Sequence, residues 1–297
     1  RCECISLTAS RLMSNAAAKR LLLNTPDADP DFIAQLDEQV NMALQRIAAR
    51  QNTDGGWGWY ESDDSDGVMT TYVLLALGEA RAAGYAVDDT LIDMASRYLS
   101  GQITLANSNE ISFSAVTAYA MSKVDLAPVS LISALFEQRA RFDVGTKALI
   151  LLSLPANDPR IEVLRDEIFA DAILSANGTH WETNQNEWIR WSSDTTTTAL
   201  ALKAMLVADA DNELLPGAMR WLMVARRGDA WHTYEENAWV VSTIADWVLA
   251  TDELNADYRY TVTLNDDTLD ADVFTPSSDI SGVSVVTDIS QLLTDAP

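Results

Sequence analysis

Apolar and polar residues recur along most of this chain with the spacing of amphipathic helices. From about residue 5 to residue 250 the pattern predicts eleven helices, with almost no strand signal among them. The predicted ranges are 5–23, 31–51, 68–84, 89–103, 110–124, 128–140, 143–154, 159–175, 193–208, 213–227 and 235–250.

Capping residues mark several of the predicted helix starts. Asp29-Pro30 and Asp158-Pro159 each place a side-chain acceptor before a proline, whose missing N–H costs nothing at the first helical position. Pro128 is expected to open another helix in the same way. Thr233 and Glu236 have the spacing of a capping box, so a helix is predicted to begin there.

The predicted helices alternate in character. Six runs are apolar or small on nearly every side, namely 5–23, 68–84, 110–124, 143–154, 193–208 and 235–250, whereas the runs between them carry charge on one face. A helix that is apolar all round has to be buried on all sides. Strict alternation of buried and half-exposed helices therefore predicts an all-α fold, an α/α toroid with about six inner and five or six outer helices.

Glycine turns that end in tryptophan support a repeated architecture. They hold Trp57 and Trp59, then Trp181 and Trp191, then Trp231, and each turn lies between an outer helix and the next inner one. We interpret these indoles as wedges between neighbouring hairpins rather than as ligand-binding groups, although Trp57, Trp59, Trp191 and Trp231 remain candidates for binding.

The pattern changes after about residue 255. Residues 258–264 alternate as a strand, 265–267 form a turn, and 270–274 and 282–286 are predicted as further strands. We therefore divide the chain into a toroid domain, residues 1–252, and a partial β domain, residues 253–297.

Composition limits the function classes. The 297 residues carry 44 acidic and 20 basic side chains, a net charge of −24, so nucleic-acid binding is not expected. No apolar run is long enough to span a bilayer. The chain begins inside a motif, which suggests a fragment of a longer protein, so the absence of a signal peptide gives no information on compartment.

Candidate chemistry lies at the start of the chain, where both cysteines are found. A cysteine in the first turn of a helix lies near unpaired N–H groups, which stabilise a thiolate and make the sulfur reactive. For a lone cysteine the more common alternative is a small buried hydrophobic residue, and only the sequence that follows Cys4 favours chemistry. If all inner helices run the same way, their first residues converge at one mouth of the toroid. These residues include Cys4, Trp59, Asp66, Asn109, Asp194, Trp231 and His232.

The segment Cys4-Ile5-Ser6-Leu7-Thr8-Ala9-Ser10-Arg11-Leu12 resembles the thioester region of the bacterial α2-macroglobulin family, Cys-x-Glu-Gln followed by Thr-x-Ser-Arg-Leu. Asn237-Ala238-Trp239 also matches a segment of related sequences. In the family the cysteine sulfur bonds to the glutamine side-chain carbonyl. Here Ser6 stands in place of the glutamate and Leu7 in place of the glutamine, so the resemblance implies a vestigial site in which no thioester forms. Starting from Cys2 places Ile5 at the glutamine position, with the same result.

The resemblance implies a non-enzymatic, thioester-like domain of a protease inhibitor. Its partners would be target proteases, which meet it through the full-length protein, and other domains of the same chain. The resemblance implies no cofactor and no metal. The location would be periplasmic or extracellular, and a membrane anchor in the full-length protein stays open. In some family members a histidine assists acyl transfer, which makes His232 a candidate, although we favour a helix-start role. We expect the other histidine, His180, to be exposed to solvent.

The alternative class is an enzyme on the same toroid, which terpene cyclases and prenyltransferases share. A cyclase would need an acidic set such as Asp63, Asp64 and Asp66, which we interpret instead as a solvated turn followed by an N-cap. A zinc site from Cys2, Cys4 and His232 lacks an acidic ligand pattern. A glycosidase needs two carboxylates about 5 to 10 Å apart, and with so many acids some pair satisfies this by chance.

Overall fold

A computed structural model describes residues 4–25, 28–103, 108–183, 192–251, 253, 257–264, 267–275 and 286, with the backbone alone at residues 108–110. Eleven α-helices fall within these ranges: α1 Ile5–Leu22, α2 Pro30–Ala49, α3 Gly67–Ala82, α4 Asp89–Ser100, α5 Ser108–Ser122, α6 Val129–Glu137, α7 Val144–Leu152, α8 Arg160–Ala170, α9 Asp194–Ala208, α10 Leu215–Val224 and α11 Tyr234–Ala250. A short 3-10 helix, Arg139–Arg141, follows α6.

Two of the four predicted helix starts are as expected, and α6 begins at Val129, one residue after Pro128. Asp29 caps α2, accepting from the Asp31 N–H, with Pro30 at the first helical position. Thr233 and Glu236 form the capping box of α11. The start of α8 differs slightly, because the Asp158 carboxylate accepts from the Arg160 N–H and the helix begins at Arg160 rather than at Pro159. The carboxylate still accepts a hydrogen bond from a backbone N–H of the first turn, where the N–H groups have no partner within the helix.

The odd-numbered helices form a closed inner ring. Each contacts the next odd-numbered helix, and α11 returns to contact α1. The even-numbered helices pack outside, each against the inner helix that precedes it, and α10 packs on α9. Burial follows this order, since α3 is buried on nearly every side whereas α2 buries one stripe. The predicted all-α toroid, with six inner and five outer helices among the described residues, is confirmed.

The clearest departure from the predicted helices follows α8. The helix predicted over 159–175 ends at Ala170, and an antiparallel hairpin of β1 Ile173–Ser175 and β2 Gly178–His180 takes its place before α9. Strand β2 packs against α10 so closely that a Cβ at Gly178 would lie 2.2 Å from the carbonyl oxygen of Gly217. Gly178 also has φ +126°, which favours glycine.

This packing corrects one expectation. His180 is not exposed to solvent, because its ring stacks on Trp221 at 4.9 Å between ring centres and its side chain is only 14% accessible. A tertiary contact with α10 therefore covers a histidine that its polar sequence neighbourhood suggested would be in solvent.

The C-terminal strands form a second hairpin. Strand β3 Tyr258–Leu264 pairs antiparallel with β4 Asp267–Phe274, with Tyr258 opposite Phe274. The second strand begins three residues earlier than predicted. The Val-rich strand predicted at 282–286 lies outside the described residues apart from Val286.

No helix in the described part of the chain combines the length and the apolar character needed to cross a membrane.

Candidate functional site

The candidate site is built on the first turn of α1, where Cys4 is the N-cap residue in an extended conformation. Its side chain is half-buried and is a free thiol. The Cys4 carbonyl accepts from the backbone N–H of Thr8 and from the Thr8 hydroxyl, both at 3.3 Å. Because the backbone of this residue is held by the helix, its sulfur has a defined position at the helix end.

Among the described residues, the Cys4 sulfur makes its side-chain hydrogen-bonding contact with a hydroxyl group. Its Sγ lies 3.2 Å from the Oγ of Ser6, which is buried. Leu7 occupies the position three residues after the cysteine and is half-buried, with an aliphatic side chain that has no carbonyl. The residues at these positions can support thiol chemistry, but they contain no side-chain carbonyl with which a thioester could form.

Trp59 is one of the predicted mouth residues, and it contacts the residue that follows Cys4. Its carbonyl accepts from the Ile5 N–H at 3.2 Å, which ties the glycine turn to the first helical residue of α1. Asp66 is the N-cap of α3, accepting from the Met69 N–H at 2.8 Å. Asp194 is the first residue of α9 and accepts from the Thr183 N–H, while Ser193 is the cap. The side chain of Asn109, like Trp191 and Cys2, lies outside the described residues.

Three buried tryptophans repeat one hydrogen-bonding arrangement. The indole N–H of Trp57 donates to the carbonyl of Ile47, that of Trp181 to Ile168 and that of Trp231 to Leu222, over 2.7 to 2.9 Å. Each acceptor is the third residue from the end of the preceding outer helix. The backbone N–H of each of these tryptophans also donates to a side chain near the start of the next inner helix, namely Thr70, Thr198 or Asn237.

Through these contacts each tryptophan connects an outer helix to the start of the next inner helix. The indoles of Trp57, Trp181 and Trp231 are buried, and their polar atoms are used within the protein. Ligand binding by Trp57, Trp59, Trp191 or Trp231 remains a prediction.

His232 lies in the turn between α10 and α11. Its backbone N–H donates to the Glu236 carboxylate at 2.8 Å, and its Nδ1 is 3.3 Å from the Arg227 guanidinium. The side chain is exposed. The backbone contact does not involve the imidazole, so the role of the His232 side chain stays a prediction.

Sequence reasoning missed a set of charges near the C-terminal ends of the inner helices, in which Glu79 and Lys203 are buried and the others are half-buried. We call it the charge cluster: Arg20, Glu79, Lys123, Lys203 and Asp246. Lys123 Nζ lies 2.8 Å from a Glu79 oxygen, and Arg20 lies 4.0 Å from the other oxygen of Glu79. Asp246 pairs with both Arg20 and Lys203. The cluster residues lie in or directly after five of the six inner helices, α1, α3, α5, α9 and α11, towards their C-terminal ends. These ends therefore lie on the same side of the ring, so the five helices run in the same direction.

The charge cluster changes the titration of its members. Burial alone would raise the pKa of Glu79, but the charges of Lys123, Lys203 and Arg20 outweigh it and lower the pKa from 4.5 to about 2. Burial alone would lower the pKa of Lys123, but Tyr119 and Glu79 more than compensate, so this pKa is raised. The signal in the sequence was single charged residues within otherwise apolar inner helices, such as Glu79 and Lys203.

The acidic residues considered for catalysis have local roles. Asp63 accepts from the Tyr60 N–H at 3.1 Å and is exposed, as is Asp64, while Asp66 is a helix cap. The interpretation as a solvated turn followed by an N-cap is confirmed. Among the described residues no group of three or more His, Cys, Asp and Glu side chains is arranged to hold a metal ion.

Several known proteins are similar to this chain in sequence. No family model matches the chain. A relative named alpha-2-macroglobulin from Thermotoga maritima is 27% identical over 146 residues, covering 48% of this chain and 10% of that protein. An alpha-2-macroglobulin homolog from Nostoc sp. is 23% identical over 225 residues, covering 71% of this chain and 12% of that protein. The chain therefore spans about a tenth of the length of these curated relatives.

Solved structures with the same fold carry the same name. Salmonella alpha-2-macroglobulin reacted with methylamine matches 92% of this chain and 18% of its own, with a TM-score of 0.64 and 17% identity. A native Escherichia coli fragment that runs from domain MG7 to the C-terminus matches 93% of this chain and 45% of its own, with a TM-score of 0.60 and 18% identity. The resemblance to bacterial alpha-2-macroglobulins is thereby confirmed: this chain is similar in sequence to alpha-2-macroglobulins, and it shares its fold with the C-terminal region of bacterial alpha-2-macroglobulins.

Proposed function

We propose that this chain is the thioester-like domain of a bacterial α2-macroglobulin-like protease inhibitor and that it works without a covalent bond to the protease. The observation that carries the proposal is the environment of Cys4, whose sulfur meets the Ser6 hydroxyl while Leu7 replaces the glutamine. A thioester forms when a thiol displaces ammonia from a glutamine side chain. With leucine at position 7 there is no acyl group to accept the sulfur.

The proposed role is that of a packing module with no enzymatic activity. Residues 1–252 would form the toroid, and residues 253–297 would belong to a flanking β domain. The likeness to an Escherichia coli alpha-2-macroglobulin activated by porcine elastase, with a TM-score of 0.63 over 92% of this chain, supports proteases as partners of the longer protein. We place that protein in the periplasm or outside the cell, either with or without a membrane anchor.

Methylamine treatment tests the missing thioester. We expect the intact mass to equal the sequence mass before treatment and to stay unchanged afterwards, and we expect iodoacetamide to label Cys4 without prior treatment. Peptide mapping separates Cys4 from Cys2, and a Cys4→Ser variant serves as the control. A starting mass lower by one ammonia, followed by gain of methylamine and release of a thiol, would contradict the proposal.

Protease retention tests the function itself. The longer protein that carries this chain should retain a protease during native size-exclusion chromatography and release it on a denaturing gel. A conjugate that survives denaturation would refute the non-covalent mechanism. Failure to retain any of a panel of serine, cysteine and metallo-endopeptidases would refute the inhibitor role.

A further inference from the structure

A groove between α1 and α2 is lined by two arginines and, among the described residues, by no carboxylate. Its volume is about 360 Å³, within the range of about 300 to 1,000 Å³ that is typical of small-ligand pockets. Both helices contribute side chains to this one cavity, which we call the arginine groove: Arg11 and Asn15 from α1, and Gln39, Met42, Ala43 and Arg46 from α2.

The polar residues of the arginine groove are placed by helical spacing. Arg11 and Asn15 are four residues apart on α1, so they lie one turn apart on the same face. On α2, Arg46 follows Gln39 by seven residues, which is two turns along one face. The Asn15 side-chain amide donates to Gln39 Oε1 at 2.9 Å and ties the two helices together. This bond uses the oxygen of the Gln39 amide and leaves its NH₂ group as a donor.

The acidic residues in the middle of α2 and in the loop after it do not line the arginine groove. Asp37 pairs with Lys19 at 2.6 Å, and Glu61 lies 3.7 Å from Arg50. Glu38 is eight residues before Arg46, which is about 12 Å along the helix axis. The charges that line the groove are therefore the two guanidinium groups, although the chain as a whole is acidic.

Both arginines are accessible to a ligand. Their side chains are exposed to solvent, and each already interacts within the chain. A guanidinium group has five N–H donors in a planar fork, so it can keep such a contact and still donate to a bound oxyanion.

We propose that the arginine groove binds a small phosphomonoester, with the phosphate between Arg11 and Arg46 and the ester group beside Met42 and Ala43. A phosphate group has three terminal oxygens and up to two negative charges, so it can accept from both guanidinium forks. A carboxylate has two oxygens and one charge, which one fork satisfies. The Gln39 NH₂ group adds a neutral donor. This inference does not depend on Cys4 or on the proposed inhibitor role.

The net charge of the chain limits the size of the ligand. A charge of −24 repels extended polyanions such as a long duplex or an anionic membrane. A single phosphate group needs only local contacts, because charges farther away than about 8 Å are largely screened at physiological salt.

Isothermal titration calorimetry of the 297-residue chain with phenyl phosphate tests the proposal at an ionic strength of about 0.15 M. We expect saturable binding with a dissociation constant of about 1 mM or lower. Inorganic phosphate should bind more weakly, because it lacks the apolar group that would contact Met42 and Ala43. Benzoate has the same ring with a carboxylate and should bind at least about tenfold more weakly than phenyl phosphate.

The arginine variants test the position of the site. Arg11→Gln/Arg46→Gln should weaken phenyl phosphate binding about tenfold or more, because the charge-assisted contacts are lost. The matched control is Arg97→Gln/Arg141→Gln, which removes the same charge from two exposed arginines that do not line the groove. This control should bind like the wild type.

A third variant guards against a folding effect of the arginine changes. Gln39→Glu adds a carboxylate inside the groove and keeps an acceptor for Asn15, so it should weaken binding about tenfold with an unchanged unfolding midpoint. Its matched control is Gln102→Glu, which adds the same charge at an exposed position after α4 and should bind like the wild type.

The proposal is overturned if the wild type does not bind phenyl phosphate, if both double-arginine variants weaken binding equally, or if Gln39→Glu binds like the wild type. Equal affinities for benzoate and phenyl phosphate would also overturn it, in favour of a general anion site.

Discussion

The two ends of the inner ring use their polar groups in different ways. At the C-terminal end, the charge cluster joins Arg20, Glu79, Lys123, Lys203 and Asp246 to one another, so these charges are consumed within the fold. At the N-terminal end, capping side chains satisfy the first backbone N–H groups, and the half-buried Cys4 thiol and the exposed His232 ring keep contact with solvent. The charges at the C-terminal end can stabilise the ring, whereas the thiol and the imidazole at the N-terminal end are available for chemistry or binding.

Breaking the charge cluster should have the largest effect on stability. Glu79→Gln removes the carboxylate that faces Lys123 and leaves buried positive charge uncompensated, so we expect the free energy of unfolding to fall by about 3 to 5 kcal/mol. Urea denaturation measures this loss. The control is Glu61→Gln, whose exposed carboxylate is 3.7 Å from Arg50 and should contribute less than about 1 kcal/mol. Equal losses in the two variants would show that the cluster does not support the ring.

Acid should also show how much the charge cluster contributes to stability. Because the pKa of Glu79 falls from 4.5 in its ordinary state to about 2 in the folded chain, the ionised carboxylate stabilises the fold above pH 4.5. This contribution is lost as the pH drops from 4.5 through 2, and it amounts to about 3 kcal/mol. Wild type should therefore lose more stability than Glu79→Gln over this interval, as followed by urea midpoints at each pH. Parallel curves for the two proteins would contradict the prediction.

The tryptophan wedges connect the outer helices to the starts of the inner ones, and we expect an intermediate effect there. Trp181→Phe removes the indole N–H that donates to Ile168 and leaves a buried carbonyl without its partner, which should cost about 1 to 3 kcal/mol. Trp57→Phe should cost a similar amount, because its indole makes the equivalent bond to Ile47. The matched control is Trp221→Phe, which keeps an aromatic ring against His180 and should cost less than half as much in thermal or urea unfolding.

The smallest effect is expected at Cys4. Cys4→Ala removes a half-buried thiol and one weak contact to Ser6, so the free energy of unfolding should change by less than about 0.5 kcal/mol while iodoacetamide labelling of this position disappears. Thr233→Ala at the same end should cost about 1 kcal/mol, because it removes a helix cap. A large loss on Cys4→Ala would mean that the thiol is part of the structural core and not an available group.

Much of the fold could be predicted because helix formation is encoded locally. The apolar runs of α3, α7 and α9 stand out in the sequence, and the capping box at Thr233 gives the start of α11. The end of α8 could not be predicted, because β2 depends on packing against α10 through Gly178 and Gly217. The missing acyl partner at position 7 is likewise visible in the sequence alone, since it depends only on side-chain chemistry.

By itself the sequence determined the alternation of buried and half-exposed helices and the replacement of glutamine by leucine, because both depend on residues that are close along the chain. Only the tertiary structure decided which of the largely buried charges are brought together. Arg20 and Asp246 are separated by 226 positions and meet because the ring closes between α1 and α11. A buried charge is stable only beside its partner, and that proximity is a property of the closed ring and not of any segment.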